Sequence, residues 1–77
     1  MMSITDGGNT MDKIKNISQS DANIILDLFD IGKAYLCEGL YIVRSGNIYT
    51  AIDNADGNAR TEDFFSYKEA ADWLLNS

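Results

Sequence analysis

Between Gln19 and Glu38 the apolar residues recur with the spacing of a helix. At about 100° per residue, Ala22, Ile24, Ile25, Leu28, Phe29, Ile31, Tyr35 and Leu36 fall on one half of a wheel. Asn23, Asp27, Asp30, Lys33 and Glu38 occupy the other half, so the pattern predicts an amphipathic helix over 19–38. Ser18 with Asp21 forms an acidic capping box at its start, and Ile17 is placed to act as a hydrophobic staple. Gly32 falls within the apolar face, which predicts close approach by another element such as the C-terminal helix. Gly39 suits the left-handed position after the helix, with Leu40 folding back onto Tyr35 as in a Schellman cap.

The pattern then changes. From Leu40 to Phe65 the chain is dense in Tyr, Ile, Val, Thr and Phe and is interrupted by two turn signals. Ser45-Gly46-Asn47 predicts a hairpin between strands 40–44 and 48–53. Asn54-Ala55-Asp56-Gly57-Asn58 predicts a second, leading into 59–65. Its register has two solutions: a two-residue loop at Asp56-Gly57 pairs Asp53 with Arg60, and a Gly-bulge loop shifts the partner by one. The choice exchanges Glu62 and Phe64 with Asp63 and Phe65 between the two faces of the sheet. Ser66 with Glu69 is a second capping box, opening a helix through Tyr67, Ala70, Ala71, Trp73, Leu74 and Leu75.

The expected fold is α+β: a single small domain of helix, three-stranded antiparallel meander and helix (αβββα), with both helices on one sheet face. Residues 1–16 are expected to be a flexible N-terminal segment, residues 1–10 disordered because they are polar and aperiodic, and 17–77 the domain. Met11 is a candidate alternative start. No signal peptide or membrane span is evident in the pattern, so a cytoplasmic protein is expected.

Composition narrows the function more than the fold. The 77 residues carry 12 acidic and 6 basic side chains, no His, and a single Cys. A chain this short supports one domain, and its single Cys cannot form an internal disulfide. The absence of His removes the commonest general base and metal ligand. A net charge of −6 argues against direct contact with nucleic acid or an anionic membrane. No phosphate-binding loop or nucleophile elbow is present. The stretch Asn54–Asp63 fails as an EF-hand, because Ile52 would fall at the first ligand position and Asp63 at the last. Cys37 lies off the main apolar face and has no base to activate it. No enzyme, metal or cofactor is therefore expected.

Two features point to a protein partner. Carboxylates spread over Asp27, Asp30, Glu38, Asp53, Asp56, Glu62 and Asp63 could imitate phosphates and occupy the basic groove of a nucleic-acid-handling protein. Glu69 and Asp72 extend the same charge onto the second helix. The alternative is an aromatic sheet face: Tyr41, Tyr49, Phe64, Phe65 and Tyr67 cluster near the strands, Tyr49 being the chosen contact residue, and Leu26 adds an apolar group to the polar side of the first helix. That face would serve a small interaction module or a homodimer, because a domain near the size limit gains core from a second chain.

The αβββα order resembles the double-stranded-RNA-binding domain in topology, but that family's basic helix start is replaced here by Ser66-Tyr67-Lys68-Glu69, so its RNA contacts do not carry over. The stretch from Tyr49 to Phe65, with Ser66–Leu74 after it, resembles the C-terminal half of small acidic proteins of low-GC bacteria and their phages. Size, acidity and element order are also similar to some phage anti-CRISPR inhibitors that act as nucleic-acid mimics. This resemblance implies a non-enzymatic inhibitor of phage or mobile-element origin and assigns no site residue.

Overall fold

The computed structural model describes residues 13–76; the expectations for residues 1–10 and for Met11 lie outside them. The elements are strand β1 (Ile14–Ile17), helix α1 (Gln19–Asp30), a 3-10 turn (Ala34–Cys37), strands β2 (Gly39–Ser45), β3 (Ile48–Asn54) and β4 (Arg60–Phe64), and helix α2 (Tyr67–Asn76). They form a small α+β domain around one open mixed sheet of order β1-β2-β3-β4.

The expected meander is present as β2–β3–β4, with both hairpins antiparallel. The fourth strand was not anticipated. Ile14–Ile17 pairs in parallel with β2, Ile14 opposite Leu40 and Ile17 opposite Val43, so three of its four residues lie in the segment 1–16 expected to precede the domain. Four residues with Lys15-Asn16 between two Ile give too short a pattern to read as a strand. Its partner β2 arrives after α1, as a parallel pair requires a crossover.

The two helices lie on opposite faces of the sheet, not on one. Tyr41, Val43 and Ile52 point to the side where Ala22 and Ile25 of α1 and Ala34 of the 3-10 turn pack. Ile14, Ile42 and Ala51 point to the other, against Ala70, Ala71 and Leu74 of α2. Successive strand residues alternate in direction, so the unbroken buried run Tyr41-Ile42-Val43 requires cover on both sides. The alpha-helical layer therefore sandwiches the sheet, and the aromatic sheet face expected to be open is occupied by α2.

Helix α1 begins as anticipated, with Ser18 Oγ accepting from the Asp21 amide at 3.1 Å. It ends early. Gly32 adopts φ +74, the Lys33 amide donates to the Leu28 carbonyl at 2.7 Å, and the Gly32 amide to Phe29 at 3.0 Å. That pair of bonds is the Schellman motif, placed at Gly32 and not at Gly39. Gly32 thus stops the helix; a Cβ there would meet nothing within 4 Å, so no neighbouring element approaches it. The chain beyond forms the 3-10 turn, and Gly39 opens β2 with its α-carbon facing the Tyr41 hydroxyl. At the other end, Ser66 Oγ accepts from the Glu69 amide at 3.2 Å, the second capping box as read.

Of the two hairpin registers, the one pairing Asp53 with Arg60 is present, although the loop is wider than two residues. Asn54 closes it. Its side chain is fully buried; Nδ2 donates to the carbonyls of Ala34 (2.9 Å) and Cys37 (2.8 Å), and Oδ1 accepts from the Ala59 amide (3.0 Å). A buried polar group is tolerated when its bonds are made, and here those bonds tie the 3-10 turn to the β3–β4 loop.

Candidate functional site

The apolar arc of α1 is wider than the sheet can cover. Ala22 and Ile25 are buried, and Leu26 packs partly against the same cluster, so the face that meets the sheet is centred on Ala22 and Ile25. Leu26, expected as an exposed anchor, is partly buried against the core. The opposite flank of the arc is left out: Ile24 is 53% exposed, Ile31 65%, Tyr35 58% and Leu36 62%, with Phe29 half-exposed at the helix end. Early termination at Gly32 contributes at Leu36, which falls between Ala22 and Ile25 on the wheel and leaves the helical track before it can reach the sheet. Singly exposed apolar residues need no explanation. Five on one short segment do.

One of them, Ile24, lines a groove of about 240 Å³ between α1 and the 3-10 turn, together with Ile17, Asp21, Ile25, Cys37 and Tyr41. Its floor is fixed. The Tyr41 hydroxyl donates to the carbonyl of Cys37 at 2.8 Å and reaches that of Glu38 at 3.2 Å. Burial, and secondarily the neighbouring Cys37, raise the Tyr41 phenol above its ordinary pKa, so it is a neutral donor at physiological pH. Cys37 is a free, half-buried thiol. The segment 19–38 that builds this surface holds Asp21, Asp27, Asp30 and Glu38 against one cation, Lys33.

The carboxylates read from the sequence do not converge. Asp27, Asp30 and Glu38 are exposed on the α1 side. Asp53 is buried and held by Arg60 at 2.9 Å, with the Ala55 amide on its other oxygen at 3.3 Å, and has a structural task. Asp56 accepts from the Asn58 amide within the β3–β4 loop. Glu62 and Asp63 face opposite sides of β4, Glu62 opposite Ala51 and Asp63 opposite Thr50, whose hydroxyl it accepts at 2.6 Å. Tyr49 and Phe64 are half-buried against α2, with Tyr49 edge-on to Tyr67 at 6.1 Å and Phe64 tilted against Trp73 at 6.0 Å. Phe65, 81% exposed, is the one aromatic of the strand region left in the open among the described residues.

Sequence reasoning placed Ile24, Phe29, Ile31, Tyr35 and Leu36 in the core and so missed them as a surface. The usable signal was width: an arc spanning half the wheel exceeds what one side of a small sheet buries. Among the described residues no helix is long and apolar enough to cross a membrane. No family model matches the chain, nor does any curated protein or solved structure.

Proposed function

We propose that the chain is a non-enzymatic binding protein that docks a basic partner protein through the α1 groove and the apolar side chains around it. The observation that carries this reading is the concentration of Ile24, Phe29, Ile31, Tyr35 and Leu36 on one exposed segment beside a groove rimmed by Asp21. Apolar area holds a partner and the carboxylates steer and select it. Four acids against one lysine over that segment fit an apolar partner segment flanked by Lys or Arg. A second copy fits worse, since each chain would bring a net charge of −6 to the contact.

Proteins that handle nucleic acid present basic surfaces of this kind. Occupying such a surface would make the chain an inhibitor, in keeping with the phage or mobile-element origin that its resemblance implies. Charge alone is a weaker basis than the sequence suggested, because Asp53 is sequestered and Glu62 and Asp63 diverge. The test is affinity capture from a bacterial lysate with the wild-type chain and with Ile24→Ser/Leu36→Ser. A partner with a basic surface, retained by the wild type and lost by the double variant, is expected. A partner kept equally by both would refute the docking surface.

A further inference from the structure

On the α2 side of the sheet, Asn16, Ile17, Ile42, Arg44, Tyr49 and Tyr67 line a second, open cavity of about 330 Å³, which meets the α1 groove only at Ile17. The strand pairing explains the convergence. Asn16 lies opposite Ile42 and Arg44 opposite Tyr49, so these four share one sheet face, with Asn16 and Arg44 at its solvent-exposed margin, and Tyr67 enters from the first residue of α2. The volume is at the lower end of the range for small-molecule sites.

Its polar groups are donors with bonds to spare. Arg44 Nε donates to the Gly46 carbonyl at 2.9 Å, and its guanidinium carbon stands 5.5 Å from the centre of the Tyr49 ring, so the fork is held from two sides. Neither ion pair among the described residues, Arg60–Asp53 and Lys68–Asp72, involves Arg44. In an acidic chain that leaves a positioned cation without a counter-charge among the described residues. The hydroxyls of Tyr49 and Tyr67 and the Asn16 amide also make no hydrogen bond to another described residue; the two tyrosines meet through their rings. Ile42 supplies apolar wall, and Ile17, whose side chain packs on the α1 side, borders the cavity at the sheet edge.

We propose that this cavity binds an apolar monocarboxylate, with the Arg44 guanidinium as the oxyanion clamp and Asn16, Tyr49 and Tyr67 as flanking donors. One guanidinium fork matches the two oxygens of a carboxylate. A phosphate dianion would need more positive charge than a chain of net −6 offers around a single arginine. The body attached to the carboxylate lies against Ile42 and the tyrosine rings. The carboxylate belongs either to a free small acid or to the C-terminal residue of a polypeptide.

The experiment is a two-dimensional amide NMR titration of the full chain with phenylacetate, phenylacetamide, inorganic phosphate, and a short phenylalanine-ended peptide with a free or an amidated C-terminus. Phenylacetate is expected to give saturable shifts at Asn16, Arg44, Tyr49 and Tyr67, and phenylacetamide none. Arg44→Gln is expected to weaken binding at least about tenfold, the size of a lost charge-assisted bond, with the spectrum otherwise native. Tyr67→Phe, which keeps the ring contact, should weaken it by a smaller factor. Tighter binding of the free-ended peptide than of phenylacetate assigns a chain terminus, and the reverse a small acid. Phosphate binding tighter than either carboxylate, equal binding of phenylacetamide, or no saturable shift at these four residues would overturn the proposal.

Discussion

Asn54 and Ala34, twenty residues apart, are joined by a buried hydrogen bond from the Asn54 amide to the Ala34 carbonyl at 2.9 Å. Through it, and through the parallel bond to Cys37, one strand-end side chain fixes the 3-10 turn that carries Tyr35 and Leu36. The exposed apolar surface is thus held by the core. Replacing Asn54 with Ala would leave the buried Ala34 carbonyl and Ala59 amide without this partner, each costing about 1–3 kcal/mol, while the Cys37 carbonyl keeps its bond from Tyr41. The expected loss is about 3 kcal/mol in a urea unfolding experiment, with the 3-10 turn amides the most shifted. A loss below about 1 kcal/mol would mean that water replaces the side chain.

Gly32 and Gly39 should respond differently to alanine. At Gly32 the space is open and only the φ of +74 opposes a side chain, so Gly32→Ala is expected to cost about 1 kcal/mol. At Gly39 a Cβ would also stand 3.2 Å from the Tyr41 hydroxyl, so Gly39→Ala should cost more and disturb the bonds from Tyr41 to Cys37 and Glu38. Thermal unfolding of the two variants side by side checks the order.

Alkaline pH should destabilise the fold through Tyr41. Its phenol pKa is raised in the folded chain by burial and then by Cys37. A raised folded pKa means the stabilisation is fully present below the unfolded value near 10 and declines as pH rises through the folded value. Stability measured against pH should therefore fall above about pH 10. Tyr41→Phe should be less stable than wild type by about 1 kcal/mol at neutral pH, for the lost hydrogen bonds, and should lose less as pH climbs. Parallel pH curves for the two proteins would contradict the assignment.

The apolar residues of the α1 surface should be dispensable for folding. Ile24→Ser, Ile31→Ser and Leu36→Ser each remove a side chain more than half exposed, so each should change stability by no more than about 0.5 kcal/mol. Ile25→Ser, one position along and buried, should cost several times more, about 3 kcal/mol. Chemical denaturation of the set distinguishes a surface from a core. Comparable losses at Ile24 and Ile25 would place Ile24 inside.

The parts of the fold governed by local chemistry were legible in the sequence. Both helix N-caps lie where Ser18 and Ser66 announce them, and the turn at Gly46 and the strand that follows it are as the residue types require. The errors came where two signals competed. Gly32 reads equally as a packing glycine inside a long amphipathic pattern or as its terminator, and only the backbone bonds from Lys33 and Gly32 decide it. The side on which each helix packs was readable in Tyr41-Ile42-Val43, whose unbroken burial demands two covers. Strand β1 was not readable, because its pairing is with a segment across a helix and its four residues carry little pattern. The seven carboxylates of the candidate site were legible as charge but not as position: a register choice decided the side of Glu62 and Asp63, and the Arg60 bridge removed Asp53.

The most direct test of the docking surface is hydrogen–deuterium exchange on the captured complex against the free chain. Protection on binding is predicted over residues 24–37, with β4 and α2 unchanged. Protection confined to β4 and α2, with 24–37 exchanging as in the free chain, would contradict it.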